Sequence, residues 1–455
     1  MSRGGGGGKA TPGKEFTAKT NRTVEDVAVE AYGKTGKAPA IWGANPGLES
    51  NGEIPKHTRL IIPPTLHHAD LTGKGPEDLT VVIDGLEVPM LACKICRTMD
   101  TCADGWAGSI AWTPGESLAL DRVTRPFEYP LAAVFIGGQL IVGGYLYGVS
   151  PEMTAQGMTK TLTGYSATAD AIDSTVMPPY EFNNVTLEQL AQYYCDPFGI
   201  NAVFQSDFGG PFARTTAHEG ETIFEHLSRL AAQRSGLVSC TNGGDMLFHR
   251  AKTGSKPVGT LQEGQPFVTG WRAEFDGRKL FGAYTVITSG EKGRKNAPAK
   301  WGKIVEDKVG ASSITEHNHL VPRSRFLTFR ADDVTPGNIH NAAKWKRNKH
   351  ITEALTITFP VSGWYAPNGR LWEVNTIVTV VSATLSVPKG FNFLIRAVEF
   401  DLESNKRSAT LHLVPPQAYN GKDMGDVWGQ HPSRRETVVS VPESNPLPAK
   451  HKGKR

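Results

Sequence analysis

Cysteine is scarce in this 455-residue chain: Cys93, Cys96, Cys102, Cys195 and Cys240 are all there is. An odd number in a large chain excludes a secreted disulfide framework and makes synthesis in a reducing cytoplasm the default. Net charge is also small, +4 from 49 basic and 45 acidic residues, so the concentrated basic face of a dedicated nucleic-acid binder is missing. The excess sits at the ends, with Arg3, Lys9 and Lys14 at one and Lys450, Lys452, Lys454 and Arg455 at the other. The opening MSRGGGGGKATPGK has no apolar h-region and does not read as a signal peptide. One uncharged run, residues 130–149, is long enough to span a bilayer. Gly137-Gly138 and Gly143-Gly144 break it, so a buried hairpin is expected there and no membrane span.

Recognised catalytic motifs are lacking too. There is no G-x-S-x-G, no P-loop and no dinucleotide fingerprint. His218-Glu219 and Glu225-His226 miss the H-E-x-x-H spacing, and Glu316-His317-Asn318-His319 is assigned to a loop. Cys93-x-x-Cys96 with Cys102, and His67-His68 as outside ligands, is the sharpest metal candidate. A structural zinc site wants two such pairs, and Cys93 and Cys96, three apart on a strand, face opposite sides. Thiols partly buried in a β-core are therefore expected, with no metal, cofactor or catalytic residue. Lys344-Trp345-Lys346-Arg347-Asn348-Lys349 mixes charge with an aromatic, and is read as a solvated helix face with Trp345 turned inward.

What is abundant is Gly (49) and Pro (30), which punctuate apolar segments about every ten residues, the rhythm of short strands and tight turns. After a leader at 1–14, residues 15–65 form a compact unit. Thr23 caps a helix at 24–32, Gly33 supplies its left-handed end, and a second helix stops by Ala44 before Asn45-Pro46-Gly47. Strand-like pieces at 16–19 and 59–62 complete a β-α-α-β order. Residues 66–78 are a polar linker. From 79 to 177 the texture is β, opened by Asp84-Gly85, a type I′ hairpin signal, with further strands at 91–98, 106–112, 130–136, 140–149 and 158–164. A small α+β unit follows at 178–260. It holds a capping-box helix from Thr186-Leu187-Glu188-Gln189, ended by Pro197, and a second helix at 221–235 stopped by Gly236. Strands return over 261–415, at 271–275, 282–289, 351–361, 371–381, 391–401 and 409–414, with a helix at 337–349. The stretch 416–455 reads as an extended tail.

Two resemblances arise from these residues. Ala31-Tyr32-Gly33, Ala44-Asn45-Pro46-Gly47-Leu48 and the run 54–64 containing Ile61 and Pro63 resemble the LysM family, particularly its variant in phage tail proteins. That implies either binding of N-acetylglucosamine polymers or a protein–protein adaptor, with Tyr32, Gly33, Asn45, Pro46, Gly47, Ile61 and Pro63 as the motif. The body from 79 to 415 resembles the baseplate hub proteins of Mu-like and T4-like contractile tails. The segments are LTVVIDGLEV (79–88), FIGGQLIVGG (135–144), LTGYSATADAIDSTVMPP (162–179), EFNNVTLEQLAQYYCDPFGI (181–200), 221–237, Gly363-Trp364-Tyr365, 369–372 and 394–413, in that order. Where that family usually has a basic residue after Gly164, this chain has Tyr165.

The hub resemblance implies a mainly β fold: two antiparallel barrel-like tail-tube domains, the small α+β insert and the N-terminal βααβ module. It further implies a structural, non-enzymatic homotrimer in the virion tail baseplate, assembled in the host cytoplasm. Such a ring adapts a hexameric tail tube above to a trimeric spike below, contacts other baseplate proteins, and leaves a lumen for DNA or the tape measure. Two rivals stay open, a tail-associated peptidoglycan hydrolase and the hub of a phage-derived contractile injection particle.

Overall fold

The computed structural model describes residues 15–18, 20–32, 41, 53–54, 58–61, 75, 77–155, 157–288, 313–318, 321, 323–331, 336–385, 387–404 and 406–419. In the N-terminal module, β1 (Glu15–Thr17), β2 (Arg22–Thr23), α1 (Val24–Tyr32), β3 (Glu53–Ile54) and β4 (Arg59–Ile61) follow in order. β1 pairs antiparallel with β4, and β2 with β3. Thr23 caps α1 reciprocally: its hydroxyl accepts from Asp26 N–H, and the Asp26 carboxylate accepts from Thr23 N–H. Phe16, Val24, Val27, Ala28, Ile41, Ile54 and Leu60 close a small core of their own. Most of the expected second helix lies outside the described residues.

The body is built on one large sheet. Its first strands are β5 (Leu79–Ile83), β6 (Leu86–Val88), β7 (Ala92–Thr98), β8 (Gly105–Ala111), β9 (Leu131–Ile136), β10 (Gln139–Thr154) and β11 (Gly157–Ser166), with helix α2 (Leu118–Val123) between β8 and β9. Asp84 and Gly85 take the two positive φ values, 47° and 81°, of a type I′ turn, and Gly137-Gly138 does the same between β9 and β10. The second glycine pair does not break the run. It lies inside β10, where a Cβ on Gly144 would stand 1.9 Å from Tyr165 O, so glycine here permits close backbone approach.

The insert contains α3 (Ala169–Asp173), β12 (Glu181–Val185), α4 (Leu187–Cys195), β13 (Ala202–Phe204), β14 (Phe212–Thr216), α5 (Ile223–Gln233), β15 (Leu237–Cys240) and β16 (Met246–His249). Capping boxes at Thr186/Gln189 and Thr222/Glu225 start the two longer helices. Helix α5 does not end on a left-handed glycine: Ser235 takes φ 56°. Gly236 is needed for space instead, because a Cβ there would meet the Phe208 ring at 2.1 Å.

The chain then returns through β17 (Thr260–Gln262) and β18 (Arg272–Phe275). A separate three-stranded sheet follows, of β19 (Ala283–Thr288), β20 (Ser313–His317) and β21 (Phe326–Ala331), and then α6 (Pro336–Ala354). The last strands are β22 (Leu355–Ser362), β23 (Ile377–Ser382), β24 (Val387–Glu403) and β25 (Lys406–Val414). Pro416–Tyr419, expected to begin the extended tail, instead forms a 3-10 turn with Pro416, Ala418 and Tyr419 buried, Tyr419 against Trp345.

Three sequence expectations are corrected. Residues 351–354 are helical, because Ile351, Thr352 and Ala354 are buried on α6 and Thr352 donates back to Asn348 O. The strand expected from Leu371 starts only at Ile377, because buried Trp372 and left-handed Asn375 (φ 60°) shape the approach. Glu316 and His317 sit in β20 rather than in a loop.

Thirteen strands join in the order β18-β22-β25-β24-β7-β8-β11-β10-β9-β5-β6, with β23 on β24 and β17 on β23. Strands before and after the insert meet where β24 pairs antiparallel with β7. The fold is mainly β, with antiparallel sheets and few helices. One core runs beneath the meeting point, from Ile357, Phe359 and Leu411 through Val398 and Phe400 to Ile95, Trp106 and Leu162. Buried His249 ties the insert to both sides. Its Nε2 lies 3.1 Å from Met99 O, and its Nδ1 lies 3.2 Å from Asn375 Nδ2, which donates.

A continuous polar sheet face as candidate assembly surface

Directly opposed residues of an antiparallel pair point to the same side of the sheet, so register alone can trace a face. Starting at β24 and β7, Glu399 lies opposite Cys96, Asp401 opposite Lys94 and Glu403 opposite Ala92. The same side continues over β8 and β11 as Gly105, Ala107, Ser109 and Ala111 against Tyr165, Thr163, Thr161 and Thr159. On β10 it continues as Gly148, Ser150 and Glu152. In the other direction it runs through Lys406, Ser408, Thr410 and His412 of β25. It ends on Thr356, Thr358, Pro360 and Ser362 of β22 and Arg272 and Glu274 of β18.

Eight strands thus share one side on which these positions hold no Leu, Ile, Val, Phe, Met or Trp, and none is buried. The reverse side carries Leu355, Ile357, Phe359, Leu411, Leu413, Val398, Phe400, Ile95, Trp106, Ile110 and Leu162, all buried. Two-sided sheets alternate like this when one face packs and the other stays wet.

The polar face leans acidic, with Glu152, Glu274, Glu399, Asp401 and Glu403 against Lys94, Arg272 and Lys406. At its middle, Glu399 accepts from His412 at 3.1 Å and from Lys94 Nζ at 2.6 Å. The His412 hydrogen bond, reinforced by Lys94, pulls the Glu399 carboxyl down to about 2. Burial raises Asp401, and burial followed by the Glu399 charge raises the Cys96 thiol. The charges of Glu399, Lys94 and His412 are thus paired with one another, while the face as a whole stays acidic.

Other sequence candidates are not brought to this face. Of the LysM-like motif, Tyr32 ends α1 and Ile61 lies in β4; Gly33, Asn45, Pro46, Gly47 and Pro63 lie outside the described residues. Cys93 and Cys102 are buried, Cys96 half-buried, and His67-His68 lie outside the described residues. Among the described residues no cluster of three or more His, Cys, Asp or Glu could hold a metal. His226 is fully buried between Tyr194 Oη (3.1 Å) and Thr215 Oγ (3.3 Å), and Glu225 caps its own helix. Glu316 is 2.9 Å from His340 and 3.4 Å from Arg347.

The basic stretch on α6 is not the solvated face expected. Trp345 is inward against Tyr419, and Arg347 and Asn348 are buried as well, Arg347 on Glu316 and His317 O, and Asn348 on Gln417 O. A cavity of about 300 Å³ between the insert and α6 is lined by Phe208, Gly209, Gly210, Pro211, Arg234, Ser235, Arg250 and Asn341, with no carboxylate in its wall. Among the described residues no helix is long and apolar enough to cross a membrane, and the uncharged run 130–149 forms β9 and most of β10.

Residues 168–250 match the family described as baseplate hub protein gp44-like, second domain. Residues 335–422 match Mu phage baseplate assembly protein GpP, fourth domain. The matched domains are those of phage baseplates. The chain is 29% identical over 258 residues to the baseplate hub protein gp44 of Escherichia phage Mu, covering 55% of this chain and 66% of that protein, a little under two thirds of its length. Among solved structures, it resembles the 43 kDa tail protein of prophage MuSo2 from Shewanella oneidensis, with TM-score 0.62 and 25% identity over 75% of this chain and 99% of that one. The tail protein from Neisseria meningitidis MC58 shares the fold, with TM-score 0.61 and 17% identity over 75% and 98% of the two chains. These relatives are named as baseplate or tail proteins, not as enzymes.

The polar face itself was only partly legible in the sequence. Alternation within Thr159-Lys160-Thr161-Leu162-Thr163 marks a strand, but the sharing of one side by eight strands depends on register between distant segments.

Proposed function

We propose that the chain is the central hub of the tail baseplate of a Mu-like contractile phage, a structural and non-enzymatic component of the virion. The observation that carries this reading is the eight-strand polar face, taken together with the baseplate-domain matches, one over the insert and one over the stretch that supplies β22, β24 and β25 of that face. In the proposed assembly three copies form a ring, and the polar faces line its channel. A wall that leans acidic repels a polyanion, so DNA passing through it does not stick. The ring joins a hexameric tube above to a trimeric spike below and passes the genome through its centre.

Within this reading, residues 79–177 and 261–415 act as paired tube domains and 178–260 as the insert between them. Residues 15–65, with the LysM-like motif, hold a neighbouring tail component.

Two measurements test the proposal. Light scattering on the purified chain is expected to give three times the 49.2 kDa protomer mass, and labelled antibody is expected to mark the tail tip of assembled particles. A monomer that leaves the tail tip unlabelled would overturn the reading. Release of soluble muropeptides from purified sacculi would replace it with the hydrolase. Purified particles that carry no DNA would move the hub to a contractile injection system.

A further inference from the structure

The large sheet contains the same four-strand unit twice. In chain order, β7, β8, β10 and β11 correspond to β18, β22, β24 and β25, and the sheet orders β7-β8-β11-β10 and β18-β22-β25-β24 match, with one further strand, β9 or β23, beside the long strand of each unit. Each long strand carries a bulge at the corresponding place, after Leu146 on β10 and after Ile395 on β24. From the residue that follows each bulge, the register runs in step. Gly148 pairs with Thr163, Thr163 with Ala107 and Ala107 with Lys94. Ala397 pairs with His412, His412 with Thr358 and Thr358 with Arg272. Lys94 and Arg272 are therefore equivalent, and both are cations on the polar face.

The two units differ in what meets them. Lys94 of β7 faces Asp401, four residues past the bulged strand's Ala397. Arg272 belongs to β18, which stands last in the sheet order. Meanwhile β10 pairs with β9 only as far as Tyr145, so its stretch from Gly148 pairs with β11 alone among the described strands. Four residues past Gly148 is Glu152, a carboxylate in the position of Asp401. On the other side of the same strand, Met153 is 75% exposed.

We infer that β10 of one copy pairs antiparallel with β18 of the next, in the register of the β24–β7 junction, so that Glu152 faces Arg272. Ser150 then faces Glu274, and on the apolar side Met153 covers Trp271. The pairing satisfies two rows of backbone groups that otherwise end the sheet, and it carries the polar face unbroken into the neighbouring copy. The inference rests on the hub reading and names the contact by which its copies join.

Opposed Cα atoms in an antiparallel pair stand about 4.5–5.5 Å apart, within the span of a disulfide. The double variant Glu152→Cys/Arg272→Cys of the full chain is expected to give disulfide-linked multimers under oxidation. Either single variant, and the off-register pair Glu152→Cys/Glu274→Cys, is expected to stay at the wild-type background set by the native cysteines. In parallel, Glu152→Arg and Arg272→Glu are each expected to weaken self-association by roughly three- to tenfold, and the double swap to restore it. Oligomers of wild-type mass that cross-link only off register, or whose charge swaps fail to compensate, would overturn this contact and leave the hub reading standing. A wild-type chain that remains monomeric and never cross-links would remove both. A Glu152→Cys cross-link to a different baseplate protein would give the edge to that partner and overturn the pairing between copies.

Discussion

The two four-strand units share strand order, bulge position and the side on which they are polar, but their connections differ. Between β8 and β9 the chain makes an exposed excursion that includes α2. Phe127 and Tyr129 lie there in the left-handed region, with Phe127 84% exposed. The equivalent connection between β22 and β23 turns inward and buries Trp364 and Trp372. Conversely, β7 and β8 are joined by a short loop, whereas between β18 and β22 stand a separate sheet and α6. The polar face is kept in both units while the loops diverge. A shared sheet needs matching strands and register, whereas a connection that leaves the sheet can differ without disturbing it.

Substitutions can break the comparison at graded cost. The largest effect is expected at the meeting of the units. Phe400 is 1% exposed opposite Ile95, so Phe400→Ala should cost about 3–5 kcal/mol in urea denaturation. A single transition in the variant would mean that the units unfold together, and two transitions that the contact alone had coupled them. Next comes Gly144→Ala, whose methyl would collide with the Tyr165 carbonyl. A loss of about 3 kcal/mol is expected, since backbone on both sides must move. Were the loss below 1 kcal/mol, the close approach of β10 and β11 would be refuted.

Glu399→Gln should cost about 1 kcal/mol at neutral pH. The Glu399 carboxyl is held below its ordinary 4.5, at about 2, so its contribution is present above the former and lost as pH falls toward the latter. The difference between wild type and variant should therefore shrink over that window. His249 acts in the same direction at higher pH. Burial keeps it neutral below its ordinary 6.5, so stability falls as pH drops beneath that value, and a His249→Asn variant should flatten this part of the profile. The smallest effect is expected in the exposed connection. Phe127→Gly should raise stability by about 0.5–1 kcal/mol, by relieving a left-handed backbone at little loss of packing.

Local features were legible in the sequence because their causes are local. Asp84-Gly85 and Gly137-Gly138 set their turns through φ, and Thr186 and Thr23 cap helices through hydrogen bonds three residues long. The errors arose where tertiary packing outweighed propensity, at the end of α6 and in the approach to β23. The pairing of β24 with β7 joins residues some three hundred positions apart, and the bulge at Arg396 that sets its register carries no turn signal of its own. Arg396 is instead held by a 2.9 Å ion pair to Asp100. The candidate surface was therefore missed as a unit, although each of its strands was marked.

The short side chains of the polar face have a mechanical consequence. Its Gly and Ala residues have no side-chain torsion to reorient, and its Ser and Thr residues have one that moves heavy atoms. In the proposed ring, a long polymer drawn past these positions would push aside flexible chains only at the interspersed charged residues and Tyr165. Over the short-chained stretches between them, drag on that polymer would come mainly from the intervening water.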